Sequence, residues 1–155
     1  MPPETTSLAK KEALVRQFYH DVWNNHGNPD IAEELFASEY TVHDPAFGTI
    51  QAAPQWQKDG AKGFRSAFPD NLLQITFTLS SEDMVAARWT ITGIQKGKFR
   101  GYEPSNKKVE FSGINIFRFG DAGKIVELWN HRDDLSLIEQ ISGRKMAEHT
   151  SYRER

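Results

Sequence analysis

The stretch Val109-Glu110-Phe111-Ser112-Gly113-Ile114-Asn115-Ile116-Phe117-Arg118 sets the architecture of this chain. Side chains alternate faces along a strand, so Val109, Phe111, Gly113, Asn115 and Phe117 share one side of the sheet. That side is apolar except for one carboxamide. The same period runs through the segments around it. Before it, Val85, Ala87, Trp89, Ile91 and Gly93 line one face of a strand that follows the turn Ser81-Glu82-Asp83. Leu73, Ile75 and Phe77 alternate with polar neighbours in a strand before that turn. After it, Gly120-Asp121-Ala122-Gly123 reads as a hairpin turn. The last strand places Val126, Leu128 and Asn130 on one face and Ile125, Glu127, Trp129 and His131 on the other.

Upstream of about Leu72 the period is helical. Leu14, Val15, Phe18, Tyr19, Val22 and Trp23 make one wide apolar stripe, predicting a helix from about Ser7 to Asn25, with Ser7 as N-cap. Gly27-Asn28-Pro29 ends it, and Asp30 can cap a short second helix from Ile31 to Ala37. A third is expected from Pro54 to Phe68, proline suiting the first helical position. A short helix from Asp134 to Ile141 closes the domain, and polar segments over 1–6 and from Gly143 onward are expected to be mobile. Helices first and antiparallel strands afterwards specify an α+β fold: a curved antiparallel sheet wrapped around the long N-terminal helix. Where helices leave the apolar sheet face uncovered, the remainder is an apolar pocket.

Composition narrows the function. The chain has 155 residues, 38% hydrophobic and 26% charged, enough for one domain with a sizeable core. A net charge of −2 gives no global field to attract nucleic acid. No stretch approaches the ~20 apolar residues that span a bilayer. The N-terminus lacks the pattern of a secretion signal, and the simplest compartment is the cytoplasm. No cysteine is present, which removes disulfides and thiolate chemistry. Metal-binding helix pairs, phosphate-binding glycine loops and the serine-hydrolase elbow are also absent from the sequence.

Strand parity singles out polar groups that point inward. Gln95 continues the Val85–Gly93 face, Asn115 lies between Gly113 and Phe117, and Asn130 follows Leu128. A buried amide without a partner costs about 1–3 kcal/mol, so each requires a protein group, a water or a ligand. Three on inward faces point to a polar floor in an apolar small-molecule pocket. Trp89, Phe111, Phe117, Tyr40, Phe18 and Leu128 are the residues expected to wall it. Titratable candidates are His43 and Asp44, which strand parity sends to opposite faces, and His131 and Asp133 where the last strand meets the last helix. Asp133 or Asp134 can equally be a plain N-cap. The basic run Lys96, Lys98, Arg100, Lys107 and Lys108, interleaved with Phe99 and Tyr102, suits either an anionic ligand or a solvated hairpin.

These residues resemble a known family. Val15-Arg16-Gln17-Phe18-Tyr19 with Val22-Trp23-Asn24, Tyr40-Thr41-Val42-His43-Asp44-Pro45, Ala67-Phe68-Pro69-Asp70, Ala87-Arg88-Trp89, Phe111 to Arg118 and Gly123 to Trp129 together resemble the SnoaL-like polyketide cyclases of the nuclear-transport-factor-2-like superfamily. The resemblance covers about Lys11 to Ile141, within a domain bounded at 7–142. It implies a cone-shaped α+β barrel that self-associates, as a homodimer or homotetramer, around a polyketide-binding cavity. It implies ring closure without cofactor or metal, an aspartate on the last strand taking a proton from carbon and a neighbouring histidine polarising a carbonyl. At those positions this sequence has Asn130 and Asn115, and Gln95 stands where the family commonly has a further histidine. A carboxamide cannot carry a proton at neutral pH, so the proton-abstraction step does not transfer unchanged. The family's Pro-Thr-Gly turn is altered as well, to Pro104-Ser105-Asn106.

Three functions remain open at this point. One is a cyclase or isomerase in which Asn130, Asn115 and Gln95 polarise a carbonyl while His43, Asp44, His131 or Asp133 moves any proton. The second is a hydrolase or lyase using His43 or Asp44. The third is a non-catalytic binder of small molecules. The outward Ile114, Ile116 and Trp129 form an apolar face that invites a partner or a covering helix.

Overall fold

A computed structural model describes residues 7–145. The first helix, α1 (Leu8–Phe18), starts where expected: the Ser7 hydroxyl accepts from the Lys10 N–H at 3.2 Å. It does not run on as regular α-helix to Asn25. Tyr19–Trp23 forms a wider π turn, closed by the Asn24 N–H donating to the Tyr19 carbonyl at 3.1 Å. Such bulges are frequent at functional sites because they redirect side chains, and here Tyr19 and Trp23 both reach the interior cavity. Asn24 then imitates a strand partner, donating to Leu73 O at 3.1 Å and accepting from Leu73 N at 2.8 Å.

The second helix is shorter than expected. A single 3-10 turn, Pro29–Ile31, is capped by Asn28 rather than Asp30 and leads into α2 (Ala32–Leu35). Phe36 already belongs to a strand, β1 (Phe36–Asp44), which forms a hairpin with β2 (Gly48–Ala52). The sequence reading had only a short extended segment there. Then come α3 (Pro54–Ala67), β3 (Leu72–Ser81), β4 (Met84–Ile94), β5 (Lys108–Phe119), β6 (Ile125–Arg132) and α4 (Asp134–Ser142). Gly143 in the left-handed conformation ends α4. The expectations for 1–6 and for the tail beyond Lys145 lie outside the described residues.

The six strands form one curved, unclosed sheet in the order β2-β1-β6-β5-β4-β3. It is not wholly antiparallel: β1 runs parallel to β6, pairing Val42 with Leu128 and His43 with Trp129. Long antiparallel ladders join β3 to β4, β4 to β5 and β5 to β6. Helices α1, α3 and α4 cover the concave face through Val15, Phe18, Ala61, Phe64, Leu137 and Ile141, all buried.

Two bulges overrule simple alternation. Between Ile75 and Phe77 the register skips Thr76, so Phe77 pairs with Arg88 and turns outward, 48% exposed. An extra residue in one strand moves everything beyond it to the other face. The same happens at Val126, skipped between the pairs Arg118–Glu127 and Phe119–Ile125, which returns Ile125 to the core.

Candidate functional site

A cavity of about 540 Å³ lies between the concave sheet face, α3, α4 and the Gln95–Lys107 loop. That volume falls within the ~300–1,000 Å³ typical of small-molecule sites. Its wall is aromatic and aliphatic, with Trp23, Trp56, Phe64, Trp89, Ile91 and Phe111 prominent.

The inward carboxamides of β5 and β6 are direct cross-strand partners, Asn115 opposite Asn130, and both line the cavity. Each is 7% exposed. Above them, Gly113 leaves room for an aromatic: a Cβ there would overlap the Trp89 ring and lie 2.6 Å from the His131 carbonyl. Glycine lets the Trp89 indole lie flat against the β5 backbone.

Among the described residues, three buried polar atoms at the cavity have no close hydrogen-bond partner: the Tyr19 hydroxyl, the Trp89 indole Nε1 and the Asn115 Oδ1, the first lying within longer reach of the other two side chains. Burial pushes the Tyr19 phenol well above its ordinary pKa, while hydrogen bonding with Asn115 and Trp89 pulls the other way. Tyr19 therefore stays a neutral O–H at any physiological pH. Gln57 of α3 also lines the cavity, its buried amide interacting with the buried Tyr40 hydroxyl. Buried polar atoms are seldom left unsatisfied, so these groups are placed to bond with polar atoms of a ligand or of water in the cavity.

Behind Asn130 sits a buried ion pair. The Arg132 guanidinium grips Asp44 with two hydrogen bonds, 2.7 Å and 3.0 Å, and the Asp44 side chain is fully buried. Asp44 also accepts from Ala46 N at 2.8 Å and from Asn130 Nδ2 at 3.3 Å. Burial alone would raise its pKa, but Arg132, helped by those two donors, holds the carboxyl below the usual aspartate value. Burial opposes the charge on Arg132 as well, and Asp44 and Asp134 more than offset it. Arg132 reaches the cavity and also contacts Asp134 at 3.3 Å, which Arg100 contacts in turn. The exposed Phe47 ring packs against both guanidiniums, 5.9 Å from Arg100 and 6.0 Å from Arg132.

Of the residues singled out from sequence, Asn115, Asn130, Trp89 and Phe111 line the cavity. The others do not. Gln95 is fully buried, but its amide is spent on the loop, donating to Gly97 O and Tyr102 O and accepting from Ser105 N. The three amides thus do not converge: two face the cavity and the third is structural. His43 lies on the convex face, stacked on Trp129 and bonded to Glu127 at 2.7 Å, the contact that, with Arg118, lowers the Glu127 pKa. His131 is exposed on that same face. Asp133 caps α4 through the Ser136 N–H. Phe18, Tyr40, Phe117 and Leu128 are at most 1% exposed and fill the core beyond the cavity.

Sequence reading missed Tyr19, Gln57, Arg132 and Asp134. Arg132 was within reach, since it continues the Leu128–Asn130 parity, as Asp44 continues that of Tyr40 and Val42. Lys98 and Arg100 of the basic run do border the cavity.

A curved sheet wrapped on helices around an apolar, carboxamide-floored cavity makes an α+β cone. The chain belongs to the SnoaL-like polyketide cyclase family, whose sequence pattern matches residues 13–141. Solved structures agree. A protein of Acidithiobacillus ferrooxidans assigned as a polyketide cyclase is 26% identical, over 90% of this chain and 98% of that one, with a TM-score of 0.75. AclR of Streptomyces galilaeus, assigned as a hydroxylase, is 23% identical over 96% of this chain and 90% of its own, with a TM-score of 0.77. A SnoaL-like polyketide cyclase of Agrobacterium tumefaciens is 18% identical over 87% and 98%, with a TM-score of 0.64. The last two likenesses carry the fold alone. No curated protein matches the sequence. Among the described residues, no helix is long and apolar enough to cross a membrane.

Proposed function

We propose that this chain is a cyclase- or isomerase-type enzyme acting on a polyketide or related natural-product intermediate, with hydrogen-bond donors in place of the family's acid–base pair. The observation that carries the reading is the trio of buried polar groups on Tyr19, Trp89 and Asn115 at the cavity, near one another but, among the described residues, without a close hydrogen bond. Trp89 Nε1–H can only donate, and the Tyr19 phenol remains protonated. A substrate carbonyl oxygen seated between them exchanges water for two fixed donors. Those donors gain strength as negative charge builds on that oxygen during enolisation or ring closure. The aromatic wall holds the reacting carbons close together and dry.

Asn115 and Asn130 orient the substrate and do not exchange protons with it. Where the reaction moves a proton, the wall carboxylates Asp134 and Asp59 or the substrate's own hydroxyls serve. The placement of His43 and His131 on the convex face gives no support to a hydrolase or lyase built on histidine. Self-association through the convex face is part of this reading, since Ile114 is 46% exposed there, and analytical ultracentrifugation tests it.

Turnover tests the proposal. Linear poly-β-ketone thioester mimics and preassembled hydroxylated aromatic polyketides are incubated with the enzyme and followed by liquid chromatography and mass spectrometry. Tyr19→Phe is expected to cut turnover by roughly 10²-fold, the scale for removing one donor to a developing oxyanion. Unchanged turnover in a Tyr19→Phe/Trp89→Phe double variant overturns the mechanism. Tight binding with no conversion of any precursor replaces it with the non-catalytic reading.

A further inference from the structure

The floor of the cavity has a polarity that the lining residues do not set by themselves. Asn130 presents two chemically opposite ends, and nothing on its own strand dictates which one faces the ligand. The choice is made by Asp44, which is absent from the cavity lining and fully buried. Asp44 is held ionised by the two-pronged contact with Arg132, and a carboxylate only accepts hydrogen bonds. The end of Asn130 turned toward it must be the NH₂, as found at 3.3 Å. The Asn130 oxygen then points away from Asp44. Among the described residues it accepts no hydrogen bond, and it is not enclosed, so it opens to the cavity. Trp89 Nε1–H at the same cavity is an obligate donor that, among the described residues, has no close acceptor, the Tyr19 hydroxyl lying at longer reach.

We propose that Asp44 is a positioning residue that, anchored by Arg132, locks the Asn130 carboxamide oxygen toward the cavity, so the site selects ligands carrying a hydroxyl donor in addition to a carbonyl acceptor. This rests on the reading of the cavity as a ligand site. It adds to that reading a rule for what the ligand carries and a residue that imposes it. The rule also assigns Arg132 a use. Without its two donors the Asp44 carboxylate loses the charge that keeps it ionised, and with it the power to hold Asn130 in one orientation.

Turning the Asn130 amide round tests this role. In Asp44→Asn the Ala46 N–H and Arg132 Nη2 both donate at the Oδ1 position, so the new oxygen belongs there and the NH₂ takes the Oδ2 position, facing Asn130 and displacing the Arg132 Nη1–H. Asn130 is then driven to turn its own oxygen inward and offer its NH₂ to the cavity. The probes are the ring isomers of hydroxy-1-tetralone, their methyl ethers, and 1-tetralone itself, titrated by calorimetry and by quenching of the tryptophans that line the cavity. On the wild type, the best-placed hydroxytetralone is expected to bind about tenfold tighter than 1-tetralone and its own ether, the scale of one well-made hydrogen bond. Asn130→Leu, which removes the acceptor but keeps the bulk, erases that advantage. Asp44→Asn also removes the preference for the hydroxyl over its ether, since both oxygens accept from an NH₂ turned to the cavity.

Ligand binding and the orientation of Asn130 are told apart by their outcomes. If no tetralone binds, or binding is indifferent to Trp89→Phe, the cavity is not the ligand site and the proposed function falls with it. If tetralones bind in a Trp89-dependent way but the hydroxyl confers nothing over 1-tetralone, only the positioning role is overturned. An advantage that persists undiminished in Asn130→Leu overturns it equally. That comparison decides the matter even where Asp44→Asn does not fold.

Discussion

Replacing Arg132 by methionine strands the Asp44 carboxylate in the interior. The side chain of Asp44 has no exposed area, whereas that of Arg132 retains 20%, so the pair is buried on its acidic side. Breaking a buried pair by removing one member costs about 3–5 kcal/mol, because the remaining charge is left uncompensated. The Ala46 N–H and the Asn130 amide still face the carboxylate, which places the expected loss near the lower end, about 3 kcal/mol at pH 7. For a domain of this size that is roughly 6–12 °C in Tm. The pH dependence identifies the cause. In the wild type the folded-state pKa of Asp44 lies below its ordinary value. Its contribution is therefore fully present above the unfolded pKa of about 3.9 and is lost as pH falls through the lower folded value. In Arg132→Met burial acts without the guanidinium and raises the folded pKa, so the variant binds a proton on the way down from neutrality. The gap between variant and wild type should shrink between pH 7 and pH 5. Urea unfolding at both pH values measures it. A gap below about 1 kcal/mol at pH 7, or one that widens on acidification, refutes a buried, ionised Asp44 dependent on Arg132.

Gln95→Ala removes three hydrogen bonds that pin the Gln95–Lys107 loop and should cost about 3 kcal/mol, with faster hydrogen exchange at the Ser105 amide. Loss of stability without faster exchange at Ser105 would argue against a loop-pinning role. Gly113→Ala forces a methyl group into the Trp89 ring and should cost about 1–3 kcal/mol with a shifted tryptophan emission, read by urea titration followed by fluorescence. His43→Ala touches only the convex face and should leave turnover within twofold of wild type. A collapse of activity in that variant would restore histidine-based catalysis as the working reading.

Period alone carried most of the fold. The alternation in β4 and β5 placed Trp89, Phe111 and Asn115 on the concave face, and the stripe in α1 placed Phe18 beneath it. A strand's two-residue repeat and a helix's 3.6-residue repeat are local properties of the backbone, so they can be read without coordinates. The reading failed where one inserted residue shifted the phase, at Thr76 and Val126, since a bulge has no signature in the hydrophobic pattern. It also missed the β1–β2 hairpin and the parallel pairing of β1 with β6. Parallel pairing depends on contacts remote in sequence, which no local pattern encodes.

For the candidate site the division is equally physical. The sequence by itself determined that carboxamides stand at inward positions of β5 and β6, and therefore that the family's proton-transfer groups are absent there. Only the tertiary structure decided that Gln95 spends its amide on its own loop, that His43 belongs to the convex face, and that Asp44 meets an arginine 88 residues away. A residue's type and face follow from its immediate neighbours along the chain. Its hydrogen-bond partner depends on which distant segments the completed core brings alongside, and in this protein that partner determines which end of Asn130 a ligand meets.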